Sequence, residues 1–397
     1  MERIDSLISQ LDKIRKSSDP KSEAVLLDKI GLAYATLGDI AKSMSYLQHA
    51  VEVKRSINDK EGIATTLNEI AHIYTIRGDF NEAMRLYRQS LEIRESLGDL
   101  TGKATTLQAI AYIYRMRGNL DEAMRLYRQA LEIQEQIGDL QGKAATLHEM
   151  AYVYTIRGDF NEAMRLYRQS LEVKERIGDL QGKAATLHEM ANVHMSRGDL
   201  ESAMRLYLQS LEISREIGDR RGEGAILGNI GNIYVALGDI EKAIKYYEQA
   251  LDIVREIGDR RGEGNHLGNL GLAFQELGDI EQAIRFYEEA LTISREIGDR
   301  QGESNRLGNL ASAYASQGNF DKAIKYYQEA LLIDREIGNR RGEGVDLANL
   351  GLAFAKMGKI PEAFDALYKA LETFSAIHSP YAEQVRELLN TLEEKAG

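Results

Sequence analysis

The 397-residue sequence contains no cysteine and only three prolines, at positions 20, 361 and 380. Without cysteine, disulfides and thiolate metal sites are excluded. So few prolines suit a chain that is nearly all helix, because proline breaks helix interiors. The sequence also lacks a run of 18 apolar residues and a signal-peptide pattern at its start, MERIDSLISQ. These absences favour a cytoplasmic location and predict no membrane span.

Basic residues are fewer than acidic ones, 50 against 62, so the formal net charge is −12. Affinity for nucleic acid comes mainly from cationic contacts to phosphate, so this balance argues against a nucleic-acid partner. Anionic membrane surfaces likewise attract basic segments, so the same balance argues against membrane binding.

What the sequence does contain is repetition. The stretch YTIRGDFNEAMRLYRQSLE occurs at residues 74–92 and again, unchanged, at 154–172. Aligning on Gly-Asp or equivalent pairs gives a period of 40 residues and nine copies, from Gly38 to Gly358. A second glycine follows most of these pairs after 20 residues. Each 40-residue unit therefore divides into two segments of about 20 residues that end at glycine.

Both segments have the apolar spacing of an amphipathic helix. Leu67, Ile70, Ala71 and Tyr74 follow the i, i+3, i+4, i+7 pattern, and the second segment repeats it from Ala83 onward. Glycine suits the left-handed position that ends a helix. The following Asp or Asn is predicted to cap the next helix, with a glutamate three residues on completing a capping box. The predicted boxes are Asp79 with Glu82, Asn119 with Glu122, and Asp159 with Glu162.

A single helix pair cannot bury its apolar stripe, whereas stacked neighbours can. The sequence therefore predicts an all-α solenoid of about nine helix pairs. Residues 1–20 are predicted to form an N-terminal capping helix, 21–380 nine tandem repeats in one solenoid, and 381–397 a C-terminal capping helix. The composition changes near residue 220, from GDLQGKA-type to GDRRGEG-type joints.

The repeat resembles the tetratricopeptide repeat (TPR). With Leu67 at place 4, the small–large–small pattern of that family falls on residues of the expected size. Place 4 is Leu rather than Trp, the proline at place 32 is missing, and the unit has 40 residues instead of 34. This longer form is similar to the repeats of Pins/LGN polarity adaptors and kinesin light chains. The motif residues are Ala71 (place 8), Tyr74 (11), Ala83 (20), Tyr87 (24) and Ser90 (27).

The resemblance implies a right-handed superhelix whose concave groove is lined by the first helix of each pair. It implies protein binding without catalysis or a cofactor. Motifs that suggest chemistry are incomplete. GDLTGKA at 98–104 has one residue too few between its glycines for a phosphate loop, and HEMA at 148–151 and 188–191 lacks the second histidine of a zincin helix. We therefore expect no enzyme activity and no metal site.

Asparagines recur at place 6 of the first helix in the C-terminal half. A side-chain amide donates and accepts hydrogen bonds, so a ladder of amides can clamp the backbone of an extended peptide. The alternative is that these asparagines bond neighbouring helices or face water. Small residues at place 5 (Gly228, Gly268, Gly308 and Ala348) are predicted to leave room for the peptide. The candidate ligand contacts are Asn229, Asn269, Asn309 and Asn349, joined by Asn192 and Asn232 at place 9.

The N-terminal half of the predicted groove has a different lining. Its aromatic and acidic residues would favour a partner segment bearing Lys or Arg, and the arginines of the Pins/LGN type of groove are largely missing. The alternative is a solvated acidic face. The candidates are Glu69, Glu149, Glu189, Tyr112 and Tyr152, with His148 and His188 at place 5.

Three functions remain open from the sequence. The first is a non-catalytic scaffold that binds a peptide or helical segment of a partner protein in the groove. The second is a regulatory or sensor module whose superhelix changes on ligand binding and controls a separate effector. The third is self-association, with the groove filled by another copy or by a terminal helix.

Overall fold

The computed structural model describes residues 2–17 and 19–396. Met1, Ser18 and Gly397, which belong to the predicted terminal segments, lie outside the described residues. Within the described ranges the chain forms twenty α-helices and no strand, and none of these helices combines the length and apolar character needed to cross a membrane. The chain divides into two compact units, Met1–Val193 and His194–Gly397. The single solenoid predicted for residues 21–380 stays a prediction.

The first unit holds nine helices and most of a tenth, which continues past its end. They are α1 (Glu2–Ser17), α2 (Pro20–Thr36), α3 (Ile40–Ser56), α4 (Lys60–Ile76), α5 (Phe80–Leu97), α6 (Leu100–Met116), α7 (Leu120–Ile137), α8 (Leu140–Arg157), α9 (Phe160–Ile177) and α10 (Leu180–Ser196).

The second unit continues the same alternation. Its helices are α11 (Leu200–Glu216), α12 (Arg220–Ala236), α13 (Ile240–Glu256), α14 (Arg260–Glu276), α15 (Ile280–Glu296), α16 (Arg300–Ser316), α17 (Phe320–Ile337), α18 (Arg340–Lys356), α19 (Ile360–Ala376) and α20 (Tyr381–Ala396).

The helices pack as pairs that repeat along each unit. In the first unit α4 packs on α5 and α6 on α7; in the second, α14 packs on α15 and α16 on α17. First helices of neighbouring pairs also touch, as α12 with α14, α14 with α16, and α16 with α18. Equivalent places on successive first helices therefore form rows across neighbouring helices.

The predicted core register is confirmed. Ala71 and Ala83 are fully buried, so the two helices of a pair approach closely, and Tyr87 is buried as well. The Ser90 hydroxyl donates a hydrogen bond to the Ala64 carbonyl at 2.7 Å, which joins the pair through a buried polar contact. Tyr74 is only half-buried.

The joints form as predicted, but none of the three capping boxes is complete. Gly98 ends α5 at a φ of 68°, which favours glycine, and Asp99 Oδ1 accepts a hydrogen bond from the Gly102 amide at 2.8 Å. Asp79 and Asp159 stand at their N-cap positions without a side-chain cap bond. Arginines three residues further on bind the glutamates instead, at 2.9 Å for Arg85 Nε to Glu82 and 2.9 Å for Arg165 Nε to Glu162. Asn119 does cap its helix, accepting from the Glu122 amide at 3.2 Å, but the Glu122 carboxylate is bound by Arg125 Nε at 2.8 Å and does not return the bond.

The GDRRGEG joints of the second unit carry a repeated ion network. Glu303 is 7% exposed and accepts from Arg295 Nε at 2.8 Å and from Arg300 Nη1 at 2.5 Å. Arg300 also binds Glu336, which lies near the end of α17 beside the next joint. The network ties each joint to its neighbour, which gives the change of joint sequence a structural reason. Equivalent buried glutamates are Glu223, Glu263 and Glu343.

Candidate functional site

The asparagine ladder lies on four first helices of the second unit, α12, α14, α16 and α18. All four side chains are half-buried, and their helices contact one another in sequence. Within residues 2–17 and 19–396, no protein group forms a hydrogen bond with the side chains of Asn269, Asn309 or Asn349. Three amides of the ladder therefore keep their hydrogen-bonding capacity for a ligand or for water.

The first asparagine of the ladder differs from the other three. Asn232 Nδ2 lies 3.5 Å from Asn229 Oδ1, and the Tyr247 hydroxyl donates to Asn232 Oδ1 at 2.7 Å. Asn229 and Asn232 are thus connected to α13 through a protein network. A ligand that binds Asn229 or Asn232 would have to compete with these internal hydrogen bonds.

The prediction that small place-5 residues leave room for a peptide is wrong at two of the three glycines. A Cβ at Gly228 would lie 2.5 Å from His266 Cε1, and a Cβ at Gly268 would lie 2.5 Å from Arg306 Cζ. The side chain at place 3 of the next repeat fills that space. At Gly308 the one nearby atom is Asp346 Oδ1 at 3.5 Å, so room remains there.

This remaining room is part of a cavity of about 510 Å³ in the second unit. Two ladder residues, Asn309 and Asn349, lie on its wall. The wall is mostly polar and carries both charges. The remaining lining residues are Ser304, Asn305, Arg306, Gly308, Ser312, Asp334, Asn339, Arg341, Gly342, Val345 and Asp346.

Two buried aspartates lie in this wall, and they differ in their partners. Asp334 Oδ1 accepts hydrogen bonds from Ser304 Oγ at 2.7 Å and from Asn339 Nδ2 at 3.0 Å. Asp346 is 5% exposed, and its Oδ2 is buried without a hydrogen-bond partner. Burial, together with the nearby Asp334 charge, raises the pKa of Asp346 to about 8.

The arginines of the cavity are bound elsewhere and do not neutralise Asp346. Arg306 donates from Nη2 to Asn265 Oδ1 at 3.1 Å, while its buried Nε has no partner. Burial lowers the pKa of Arg306 from its ordinary value. The Arg341 guanidinium lies 5.5 Å from the centroid of the Tyr381 ring, a cation–π contact.

In the first unit, the polar side chains at place 5 have a structural role. Asn68 Nδ2 donates to Thr106 Oγ1 at 2.9 Å, and Gln108 Nε2 donates to Thr146 Oγ1 at 2.5 Å. These side chains connect successive first helices. Place 5 therefore holds neighbouring repeats together at the positions where polar residues occupy it.

His148 follows the same rule. Its Nδ1 lies 3.1 Å from Thr186 Oγ1, and its ring contacts Tyr167 edge-on. Burial, then the charges of Lys174 and Arg115, lower the pKa of His148 to about 3. This neutral, packed ring is placed as an inter-repeat contact, not as an exposed ligand contact.

His188 is also half-buried, and burial lowers its pKa. The part of the chain that the structure describes contains no group of three His, Cys, Asp or Glu side chains arranged to hold a metal ion. The candidate site in this unit therefore consists of aromatic and acidic side chains.

Tyr112 and Tyr152 are brought together by an arginine. The Arg115 Cζ lies 4.7 Å from each ring centroid, so the guanidinium sits between the two tyrosines. Arg115 Nε lies 3.4 Å from Glu149 Oε2, which also accepts from the Tyr127 hydroxyl at 3.3 Å. The predicted negative face is thus partly neutralised from within the protein.

The two remaining acidic candidates keep more of their capacity to bind a cation. Asn192 Nδ2 donates to Glu189 Oε2 at 3.2 Å, and burial raises the pKa of Glu189. Glu69 lies at a cavity of about 590 Å³ with Leu32, Ile73 and Ile76. Burial and the nearby Asp28 raise the pKa of Glu69 to about 7, and its Oε2 is buried without a partner.

The residues that sequence reasoning missed stand at place 3 of the first helix. The relevant signal was in the sequence: place 3 holds threonine from Thr66 to Thr186 and then changes in every repeat. The changed residues fill or leave open the space at place 5 of the preceding repeat. They are His266, Arg306 and Asp346, which follow Ile226 at the same place.

Comparison with known proteins agrees with this architecture. The tetratricopeptide repeat family model matches residues 21–96, 62–136, 102–176, 142–216, 182–256, 222–296 and 303–376. A search of curated proteins returned no relative of this chain.

Several solved structures share the fold at low sequence identity. A STAND signal transduction ATPase with a tetratricopeptide repeat sensor, from Pyrococcus horikoshii, superposes with a TM-score of 0.65 at 20% identity, over 98% of this chain and 55% of that one. This chain thus spans about half the length of that ATPase. The apo quorum sensor NprR from B. thuringiensis gives 0.63 at 14% identity, over 90% and 100% of the two chains. BtubC from P. vanneervenii gives 0.51 at 22% identity, over 55% and 92%.

At these identities the structural likeness shows the fold alone. The family match, by contrast, spans most of the chain, and it coincides with the 40-residue helix pairs that the structure contains. The chain belongs to the tetratricopeptide repeat family.

Proposed function

We propose that this chain is a non-catalytic, cytoplasmic scaffold that binds an extended peptide segment of a partner protein across the first helices of the second unit. The observation that carries the proposal is the set of half-buried amides of Asn269, Asn309 and Asn349, none of which is hydrogen-bonded within the described residues. Successive amides on contacting helices suit the repeating donors and acceptors of a peptide backbone.

The ladder does not supply enough affinity by itself. Three hydrogen bonds contribute a net of about 1.5–4.5 kcal/mol, at roughly 0.5–1.5 kcal/mol each. Association costs an estimated 4–15 kcal/mol. A side-chain pocket must provide the rest, and the cavity beside Asn309 and Asn349 is in the right place to do so.

A partner segment bearing Lys or Arg is our proposal for the first unit. Glu69 and Glu189 support it, because burial raises the pKa of both carboxyl groups. An incoming cation would stabilise their ionised forms. Arg115 already lies against Glu149, so that carboxylate contributes less. The basic segment would therefore bind beside Glu69 or Glu189.

A sensor role is the second candidate. Two of the structural neighbours are described as a tetratricopeptide repeat sensor and as a quorum sensor. In that role, peptide binding would change the arrangement of the repeats and act on a separate effector. Small-angle scattering with and without a selected peptide distinguishes the two, because a plain scaffold keeps its scattering profile.

The test is a selection of random linear peptides, displayed on their own messenger RNA, against the full chain. The enriched pool is then measured on two triple variants with equal circular dichroism. One carries Asn269→Ala, Asn309→Ala and Asn349→Ala. The matched control removes three exposed amides on second helices through Gln129→Ala, Gln249→Ala and Gln328→Ala.

We expect the ladder variant to lose at least about tenfold in affinity, which corresponds to about 1.4 kcal/mol. The control should bind like the wild type. Equal binding to both variants, or a library that yields no binder, contradicts the proposal. Light scattering across protein concentrations tests self-association separately.

A further inference from the structure

The cavity beside Gly308 exists because the side chain at place 3 of the next repeat is short. His266 and Arg306 fill the corresponding spaces at Gly228 and Gly268. Asp346 is shorter, and its Oδ1 stays 3.5 Å from the position of a Cβ on Gly308. The second unit therefore contains one place-5 glycine with open space beside it, and a carboxylate lies at that space.

The carboxyl group of Asp346 has no cationic partner within the described part of the protein. In the described part of the chain, neither oxygen of Asp346 accepts a hydrogen bond, and no cation lies within ion-pair distance. Arg306 and Arg341 line the same cavity but bind Asn265 and Tyr381. Ionising a buried carboxyl group without a partner is costly, and a cation bound in the adjoining cavity would offset that cost.

We propose that Asp346 receives a primary ammonium group, carried by the peptide that binds across the Asn309 and Asn349 amides. The ammonium comes from the amino terminus of the peptide or from a lysine side chain. The identity of this carrier rests on the proposed function, whereas the ammonium site itself is defined by the cavity.

The lining favours an ammonium over a bare divalent cation. Divalent ions take six or more oxygen ligands in the case of calcium, or near-octahedral oxygen geometry in the case of magnesium. Here the carboxylates of Asp334 and Asp346 share the cavity with two guanidinium groups, Arg306 and Arg341. A peptide that carries an ammonium group suits this mixed lining. The ammonium can pair with the carboxylates, and the peptide carbonyls can accept hydrogen bonds from the arginines.

Small probes test the site without any peptide. The probes are n-butylammonium, which mimics a lysine side chain, glycinamide, which mimics an amino terminus, and neutral N-acetylglycinamide. Saturation-transfer difference NMR with the full chain at about pH 8, where a lysine-type amine is charged, detects weak binding. The proteins are the wild type, Asp346→Asn, Gly308→Leu, which fills the cavity and leaves the carboxylate, and Asp252→Asn, an exposed control.

We expect the wild type and Asp252→Asn to saturate at least one ammonium probe and not the neutral one. Both Asp346→Asn and Gly308→Leu should reduce that signal at least tenfold while keeping the circular dichroism of the wild type. The stronger of the two ammonium probes identifies the source of the group.

Three results overturn the proposal. They are equal ammonium signals in Asp346→Asn and the wild type, no signal from either ammonium probe on the wild type, and displacement of the probe by calcium or magnesium at equal concentration. A positive probe result with a failed peptide selection would leave the ammonium site intact and refute the peptide scaffold instead.

Discussion

The guanidinium of Arg306 occupies the space beside Gly268, with its Cζ 2.5 Å from where a Cβ on that glycine would be. Arg306 belongs to the next repeat along the chain, so the backbone of one repeat is shaped to accept a side chain of another. The same relation holds for His266 and Gly228. The glycines at place 5 thus serve the packing of repeats, except where Asp346 leaves space.

Two glycine substitutions test this packing directly. Gly308→Ala meets only an ordinary contact, and replacing a helical glycine with alanine stabilises by about 0.5–1 kcal/mol. Gly268→Ala must displace Arg306, and overpacking costs about 1–3 kcal/mol. Urea unfolding of the two variants in parallel should place Gly308→Ala above the wild type and Gly268→Ala below Gly308→Ala. Equal midpoints for the two variants would show that Arg306 moves away at no cost.

Much of this architecture could be predicted from the sequence, because the repeat fixes local structure. Gly78 and Asp79 mark a helix end and a helix start, and α4 ends at Ile76 while α5 begins at Phe80. The buried alanines and Tyr87 follow from the same period. These features depend on neighbours within one repeat, and a repeated sequence shows them many times.

The site was harder to predict, because it depends on pairs of residues in adjacent repeats. Whether Gly308 faces open space is decided by Asp346, 38 positions further on. His148 is hydrogen-bonded to Thr186 of the next repeat, and this contact determines whether its ring is available to a ligand. The capping box at Asp79 failed for a different, local reason, since Arg85, three residues further along the same helix, binds the glutamate that the box requires. The spacing of the box alone does not reveal such competition.

Asp346 makes stability depend on pH in a defined direction. Its folded-state pKa is about 8, above the ordinary value of 3.8, with Asp334 and Tyr327 on α17, Arg306 on α16 and Arg341 on α18 as charged or titratable neighbours. The folded state therefore holds a proton that the unfolded chain has lost. Its contribution to stability is present below about pH 4 and is lost as the pH rises towards about 8.

The substitution Asp346→Asn removes the titrating group, and with it the loss of stability at high pH. We expect the variant to exceed the wild type in free energy of unfolding by at least about 1–3 kcal/mol at pH 8.5, the cost of an unsatisfied buried polar group. The difference should shrink at pH 5. Thermal melting at both pH values checks it, with Asp252→Asn as the exposed control. A constant difference between the two pH values would show that Asp346 does not titrate in this range.

His148 gives the opposite pH dependence. Its folded-state pKa is about 3, below the ordinary 6.5, so the unfolded chain binds a proton that the folded state refuses. The stability it contributes is present above about pH 6.5 and is lost as the pH falls towards about 3. The substitution His148→Gln introduces glutamine at place 5. Gln108 stands at the same place in the preceding repeat and donates a hydrogen bond to Thr146 of the repeat that follows its own. We expect melting temperatures of the variant to fall less than those of the wild type between pH 7 and pH 4.5. Parallel curves would contradict the buried, neutral state of His148.

The glutamates of the second type of joint should matter more than surface ion pairs. Glu303 is buried between Arg295 and Arg300, whereas Glu82 and Arg85 form an exposed pair. We expect Glu303→Gln to lower the free energy of unfolding by about 1–2 kcal/mol, since both arginines are partly exposed and the network is screened. Glu82→Gln should change it by less than about 0.5 kcal/mol. Urea unfolding of the two variants provides the comparison, and equal losses would remove the distinction between the joints.

Arg115 links the aromatic and acidic candidates of the first unit, so its replacement should reveal what the cluster does. Arg115→Lys keeps the charge but loses the planar group between Tyr112 and Tyr152, and a cation–π contact contributes about 0.5–2 kcal/mol. Burial raises the pKa of Glu149, and Arg115→Gln also removes the charge that opposes this rise. The carboxyl then becomes harder to ionise, so the glutamine variant should lose further stability relative to the lysine variant as the pH rises. Melting curves at pH 6 and pH 8.5 measure this difference. If both variants melt alike at both pH values, Glu149 is held by the Tyr127 hydroxyl and by burial alone, and the guanidinium acts only as a spacer between the two rings.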